Sequence, residues 1–298
     1  MGLRIAPNLY STLLYGVTND RENLNTDLQQ ISSGKSVNLP SDNPAATASY
    51  IGDQAESGSN DAFQHSISTV QGALSTADSA LGSVINNLNQ ALSLGVEGAN
   101  GTNSPSELQG MAQEVQSIQQ TVLALANTSY QGAYLFAGTN VTAAPYAVSG
   151  GSPSGVSYAG NADTNTIQVG PGQFVGANLP GSTIFNSAGA DVFQALHDLS
   201  AALNTNTNIK GALSELTTAF NAVNSQRTFY GNTLDQLTSV NSSLTQEQLT
   251  LSQQEGNLIS ADTAKAASNL AQDQTSLQGA LEAFGGISKN TLLNYLNL

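Results

Sequence analysis

Apolar residues recur along this chain in alternating steps of three and four, a spacing that lines one side of an α-helix and is typical of coiled coils. Such a stripe is buried only when it packs against other helices. The longest series crosses residues 216–258 and predicts a helix over about 208–258. The sequence therefore predicts a mainly α fold: a long antiparallel, coiled-coil-like rod of helices.

Five such series can be traced, over residues 10–31, 63–91, 108–125, 216–258 and 259–284. The fifth is displaced by one position from the fourth, which predicts a kink or a boundary between helices there. Polar residues become frequent in the later part of the fourth series, so packing should be looser there. Arg21 and Arg227 stand at apolar positions, where each is expected either to pair with a carboxylate or to lie in solvent.

Helix boundaries carry signals of their own. Gly34 suits the position just after a helix, and Asn43 followed by Pro44 is typical of an N-cap and a first helical residue. Ser104 opens a Ser-Pro-Ser-Glu capping box, which predicts a helix start. The glycine-rich stretch 95–101 is the turn expected before it.

The pattern changes between residues 134 and 189, where Gly, Pro, Ser and Thr become dense. Two short alternating runs, 166–169 and 173–175, flank a Gly-Pro-Gly turn and predict a β-hairpin. We interpret this stretch as a small inserted β domain. The expected domains are terminal helices at 1–40 with 260–298, a helical core at 41–133 with 190–259, and the insert at 134–189.

Composition excludes several classes of function. Charged residues make up 9% of the chain, against about 25% in ordinary soluble domains. A net charge of -14 and a pI near 4.1 argue against a nucleic-acid partner. The absence of cysteine excludes disulfides and thiolate metal sites. No apolar run approaches the roughly 20 residues of a membrane helix, and the first 17 residues lack the apolar core of a signal peptide.

Catalytic chemistry is not predicted. Residues 33–36, SGKS, imitate the end of a phosphate-binding loop, but the required earlier glycine is replaced by Gln29 and a helix precedes the motif. His65 and His197 are the only histidines, and neither lies in a metal-binding motif. The carboxylates are scattered singly, so no acid–base pair emerges. We therefore expect no enzyme activity, no cofactor and no metal.

Four stretches of the chain are recognisable. Residues 31–46, ISSGKSVNLPSDNPAA, resemble the amino-terminal block of the flagellin superfamily. Residues 130–139, YQGAYLFAGT, are similar to the block that closes its second core helix, and Tyr-Leu-Phe-Ala-Gly is characteristic of members at the junction of hook and filament. Residues 292–296, LLNYL, resemble the terminal assembly helix, and GPGQ at 170–173 with NLPG at 178–181 resemble the variable insert of the junction members.

The resemblance implies a flagellin-like fold and a structural role outside the cell, as the adaptor on which flagellin polymerises. The partners it implies are hook-associated protein 1 on the hook side, flagellin on the filament side, further copies of this chain in a ring, and an export chaperone. It also implies export through the flagellar type III apparatus without a cleaved signal peptide. No membrane partner is expected.

The terminal helices are the predicted polymerising element, because a single helix of this length is marginal in water. We expect them to fold against each other and against neighbouring subunits on assembly. The predicted interface residues are apolar and lie on both terminal helices: Leu14, Val17, Leu24, Leu28, Ile31, Leu270, Leu277, Leu281, Phe284, Leu292, Leu293 and Leu296. An ordinary intramolecular bundle is the alternative, and it is preferred for the stripes at 63–91, 108–125 and 216–258.

Two other functions stay open. The chain could be flagellin itself, although the Tyr-Leu-Phe-Ala-Gly string argues against that. It could also be a secreted coiled-coil effector or adhesin whose β insert binds a surface ligand, although no aromatic or charged patch in the insert supports such a role.

Overall fold

The computed structural model describes residues 7–152 and 154–296, with side-chain burial described from residue 11 to residue 286 except at 153. Helices dominate, which confirms the predicted mainly α fold. The described part holds seven of them: α1 (Pro7–Ser33), α2 (Pro44–Gly98), α3 (Pro105–Ala126), α4 (Gly181–Ile184), α5 (Val192–Thr205), α6 (Ile209–Ile259) and α7 (Thr263–Leu296). None of these described helices is both long and apolar enough to cross a membrane.

The chain divides into two compact units. The terminal unit comprises the residues up to 59 together with those from 247 onward, and the central unit comprises residues 60–246. The three-domain division drawn from the sequence stays a prediction.

The core of the central unit is made by the apolar stripes at 63–91, 108–125 and 216–244. Their inward positions are fully or nearly fully buried, as the bundle interpretation required. These positions include Ile67, Leu74, Leu81, Val84, Leu88, Val115, Val122, Leu216, Val223, Tyr230 and Leu237. Helix α5 packs against α3 and contributes Leu196, Leu199 and Leu203 to the same cluster.

The predicted helix ends are confirmed where caps were identified. The Asn43 side chain accepts the N–H of Ala46 at 3.1 Å, and α2 begins at Pro44. Ser104 and Glu107 form the reciprocal capping box at the start of α3. Gly34 has φ +69° directly after α1, a left-handed conformation that glycine adopts without strain.

The turn expected at residues 95–101 is shorter than predicted, because α2 continues to Gly98. Gly95 lies inside the helix, where an added Cβ would stand 2.8 Å from Leu213 Cδ1 and 3.2 Å from Leu199 Cδ1. The glycine therefore serves close helix packing rather than chain reversal. The expected break after residue 258 is confirmed, since α6 ends at Ile259 and α7 begins at Thr263.

The described strands form four separate two-stranded antiparallel hairpins, not one sheet. Their pairs are β1 (Ser129–Tyr130) with β2 (Ala133–Tyr134), β3 (Tyr146–Val148) with β4 (Val156–Tyr158), β5 (Thr166–Gly170) with β6 (Gln173–Gly176), and β7 (Asn186–Ser187) with β8 (Ala190–Asp191). The third pair is the predicted hairpin and is confirmed. Hairpins this small are not stable alone and depend on packing.

An aromatic cluster supplies part of that packing. Phe136 meets Phe185 edge to face with ring centroids 5.4 Å apart, and Phe185, Phe193 and Tyr146 are in mutual contact. The Phe136 carbonyl accepts the N–H of Gly181 at 2.7 Å. The Tyr-Leu-Phe-Ala-Gly string is thus where the insert is anchored to the helices.

Arg227 forms the pair that its position in the stripe suggested. Its guanidinium donates to both carboxylate oxygens of Asp78 on α2, at 2.7 and 2.9 Å. Because both side chains are partly exposed, the pair serves helix register more than stability. Arg21 is exposed, in agreement with the solvated alternative.

The central unit should lose stability at alkaline pH. Burial raises the pKa of the phenols of Tyr146 and Tyr230 well above the ordinary value of 10.0. The folded state therefore holds these protons more tightly, so the stabilisation is fully present below the unfolded pKa and is lost as pH rises beyond it. Urea unfolding should show a falling free energy of unfolding above pH about 10, with a smaller fall in Tyr146→Phe. The same pH dependence in both proteins would contradict this assignment.

Candidate assembly interface

The terminal unit pairs the two ends of the chain. Helix α1 packs along α7, although about 230 residues separate them in sequence. The first turns of α2 and the last turns of α6 complete the unit, where Gln54 donates to Glu255 at 3.0 Å and Gln248 donates to Ser57. The sequence prediction that the terminal helices lie side by side is consistent with this packing.

Backbone hydrogen bonds join the α1–α2 connection to the α6–α7 connection. Lys35 and Ser260 form an antiparallel bridge. The N–H of Ser36 donates to the Ile259 carbonyl at 2.7 Å, and the N–H of Ala261 donates to the Gly34 carbonyl at 2.9 Å. At the break in the heptad pattern, residues 259–261 are not all bonded within a helix. Their free backbone groups pair with residues 34–36 because buried backbone groups need partners.

The block at 31–46 owes its form to local hydrogen bonds. The Asp42 carboxylate accepts the N–H groups of Asn38 at 3.0 Å and of Leu39 at 2.8 Å. The Asn38 amide in turn donates to the Lys35 carbonyl at 2.9 Å. These bonds close the loop on itself and leave the Leu39 side chain 54% exposed.

None of the predicted interface residues with described side chains is buried. Leu14, Leu28 and Leu281 are 44%, 49% and 53% exposed. Val17, Leu24, Ile31, Leu270, Leu277 and Phe284 are half-buried. Helix α7 includes Leu292, Leu293 and Leu296, but their side chains are not among those that the structure describes. Their joint role in assembly stays a prediction.

The terminal unit has almost no core. Among its residues whose burial is described, only Asp27, Ala46, Leu251 and Ala266 are buried. Two are alanines and one is an acid, so the α1–α7 pair shares a seam without enclosing large apolar side chains. Apolar surface on both helices is therefore left half in contact with water.

An apolar groove of about 570 Å³ in this unit was not predicted. Val37, Leu39, Tyr50, Ile51 and Ile259 contribute to its walls. Both Leu39 and the 61% exposed Ile51 lie outside the helical stripes, which is why the periodicity did not reveal them. The signal that was available is two short apolar groups outside the stripes, Val37 with Leu39 and Tyr50 with Ile51.

Carboxylates face one another where α2 meets α6 in this unit. A hydrogen bond with Glu247 raises the pKa of Glu56, and burial and the charges of Glu247 and Asp53 raise this pKa further. The nearby negative charges disfavour the ionised form of Glu56.

Comparison with known proteins gives these features a context. Residues 8–141 match the family described as the bacterial flagellin N-terminal helical region, and residues 213–296 match the bacterial flagellin C-terminal helical region. Flagellar hook-associated protein 3 of Escherichia coli is 27% identical over 93% of this chain and 94% of its own length. The protein of the same name from Salmonella typhimurium is also 27% identical, with the same coverage.

Solved structures show the same fold. A structure described as a flagellar hook-associated protein of Vibrio parahaemolyticus has a TM-score of 0.68 at 21% identity, covering 74% of this chain and all of that one. Flagellar hook-associated protein 3 of Legionella pneumophila has a TM-score of 0.64 at 13% identity, covering 69% of this chain and 98% of that one. From the two matched regions, which include both predicted terminal helices, it follows that this chain belongs to the bacterial flagellin family.

Proposed function

We propose that this chain is a structural subunit of the bacterial flagellum and the adaptor at the junction between hook and filament. It would bind hook-associated protein 1 on one side, present a surface for flagellin on the other, and form a ring with copies of itself. An export chaperone and the flagellar type III apparatus would deliver it outside the cell.

One observation carries the proposal: the terminal unit pairs both ends of the chain yet buries only four residues among those described. Half-exposed leucines on α1 and α7 offer apolar surface that a neighbouring subunit can cover. The central unit, in contrast, encloses its own apolar stripes. A self-sufficient central unit with an unfinished terminal unit is the arrangement expected of a subunit that completes its packing in a polymer.

Energetics favour coupled ordering of the terminal helices. Burying a leucine fully stabilises by roughly 1.5–3 kcal/mol, and the half-exposed leucines have gained only part of that. Contacts with neighbours would supply the remainder and offset the entropy of fixing the backbone. Hydrogen exchange in dilute protein should therefore show weakly protected amides in α1 and α7, and strong protection there would contradict coupled folding.

Two observations favour the role of adaptor over the role of flagellin. The curated relatives that align along almost the entire chain are hook-associated proteins. The Tyr-Leu-Phe-Ala-Gly string is present at residues 134–138, with Phe136 fully buried.

Deletion of the gene, followed by electron microscopy of the cell surface and an assay of flagellin in the medium, tests the proposal. Bare hooks with flagellin shed into the medium are the expected result, because filament nucleation would fail while flagellin export continues. Complementation with the intact gene should restore filaments and serves as the control.

Two results would replace the proposal. Missing filaments without the major flagellin anywhere would identify the chain as the filament subunit. Normal filaments on every hook would exclude a required junction role and favour the effector or adhesin alternative.

A further inference from the structure

The turn between α2 and α3 holds the only Asn-Gly sequence of the chain, Asn100 followed by Gly101. Both residues are exposed, and they lie after the end of α2 at Gly98 and before the start of α3 at Pro105. Gly101 has φ +70°, and an added Cβ there would meet no atom within 4 Å. Water therefore reaches both residues, and neither contributes to the core.

The groups that an intramolecular reaction would join at this turn are not engaged elsewhere. The Gly101 N–H and the Asn100 side-chain amide form no hydrogen bond with any other residue that the structure describes. Because glycine has no side chain, its nitrogen meets little steric resistance when it approaches the side chain of the preceding asparagine. The Gly101 nitrogen can thus approach Asn100 Cγ without first breaking a hydrogen bond.

A nearby asparagine shows the opposite arrangement. Asn103 precedes Ser104, and its side-chain amide donates to the Glu97 carbonyl at 2.6 Å. The Ser104 N–H donates to the Glu107 carboxylate at 2.7 Å as part of the capping box of α3. Both groups that would react are therefore held by hydrogen bonds, and the serine side chain crowds the nitrogen. Asn103 serves as an internal reference for Asn100.

We propose that Asn100 is a site of spontaneous deamidation. The Gly101 nitrogen attacks Asn100 Cγ and gives up its proton, the bond between Cγ and Nδ2 breaks, and ammonia leaves behind a succinimide ring. Water then opens the ring at one carbonyl or the other, which yields aspartate or isoaspartate. Water is the only co-reactant, and no oxidation or reduction takes place. The inference requires this turn alone and not the junction role.

The reaction changes the charge and the length of the turn. One further negative charge appears two residues beyond α2, where the unpaired carbonyl groups of the helix C-terminus make such a charge unfavourable. Isoaspartate also routes the main chain through the side-chain carbon, which lengthens the main chain by one methylene group. We expect the helix content to stay unchanged, because neither Asn100 nor Gly101 is buried.

Incubation of the folded full-length protein at neutral pH, followed by peptide mapping, tests the site. Proteolysis after Glu97 and Glu107 releases a single peptide. It contains both Asn100 and Asn103, and fragmentation in a mass spectrometer assigns the exchange of NH2 for OH to one of them. We expect conversion of Asn100 to be at least tenfold faster than that of Asn103. In urea the ratio of the two rates should fall, because Asn103 loses the hydrogen bonds that protect it.

Gly101→Ala should slow the conversion of Asn100 at least fivefold, because the added Cβ crowds the attacking nitrogen. Gly110→Ala is the matched control, since Gly110 is an exposed glycine of α3 where a Cβ also meets nothing within 4 Å. It should leave the rate within twofold, and circular dichroism checks that both variants fold.

Equal conversion of Asn100 and Asn103 in the folded protein would overturn the proposal, and so would an unchanged rate in a folded Gly101→Ala variant. The comparison of the two asparagines uses the unaltered chain, so it decides the matter even if that variant does not fold. Neither result would change the hook phenotype of the gene deletion, so this inference and the proposed function fail separately.

Discussion

Phe136→Ala is expected to lower the free energy of unfolding of the central unit by about 3–5 kcal/mol, the usual cost of deleting a buried phenylalanine side chain. Phe136 is fully buried and meets Phe185 edge to face in the aromatic cluster at the base of the insert. The variant leaves a cavity where the insert joins the helices. Urea unfolding followed by circular dichroism measures the change.

Phe174→Ala is the matched control, because Phe174 lies on β6 with 63% of its surface exposed. It removes the same atoms from a position that encloses nothing, so we expect a change within about 0.5 kcal/mol. Equal destabilisation by the two variants would show that the aromatic cluster is not the anchor of the insert.

The second large effect concerns assembly. The triple variant Leu14→Ala, Leu28→Ala, Leu281→Ala removes the three most exposed leucines among the predicted interface residues whose side chains are described. If each gains about 1 kcal/mol when a neighbour covers its exposed half, the triple variant loses roughly 3 kcal/mol per subunit. That is about a hundredfold in the association constant. We expect few hooks to carry filaments when the variant replaces the normal protein in cells.

A matched control is available in the central unit. Val96 and Val148 are 54% and 79% exposed, and Val96→Ala with Val148→Ala removes exposed apolar surface from residues outside the terminal unit. Cells with this control should form filaments normally. Secreted protein should be quantified for both variants, so that lost export is not mistaken for lost assembly. Normal filament numbers with the triple leucine variant would contradict the predicted interface.

Much of the helical architecture could be predicted because it depends on local rules. Asn43 and Ser104 cap helices through bonds to residues three positions ahead, and such bonds are visible in the sequence. The stripe positions from Ile67 to Leu88 repeat every three or four residues because they face one core. The hairpin around residues 170–172 follows from its turn residues in the same way.

What escaped prediction depends on contacts between distant segments. Gly95 appeared to be a turn residue, but Leu199 and Leu213, more than 100 residues away, pack against it and make it a helix residue. The groove at Leu39 and Ile51 arises where a loop meets a helix, and no periodicity marks it.

The bridge between Lys35 and Ser260 has a consequence for the order in which the chain can fold. It joins residues about 225 positions apart, so the terminal unit has a very high contact order. A chain that emerges amino terminus first can fold the entire central unit before its last 40 residues are available. Helix α1 therefore has no α7 to pack against until almost the whole chain has emerged. A product truncated before Ser260 would keep a folded central unit but could not form the terminal unit.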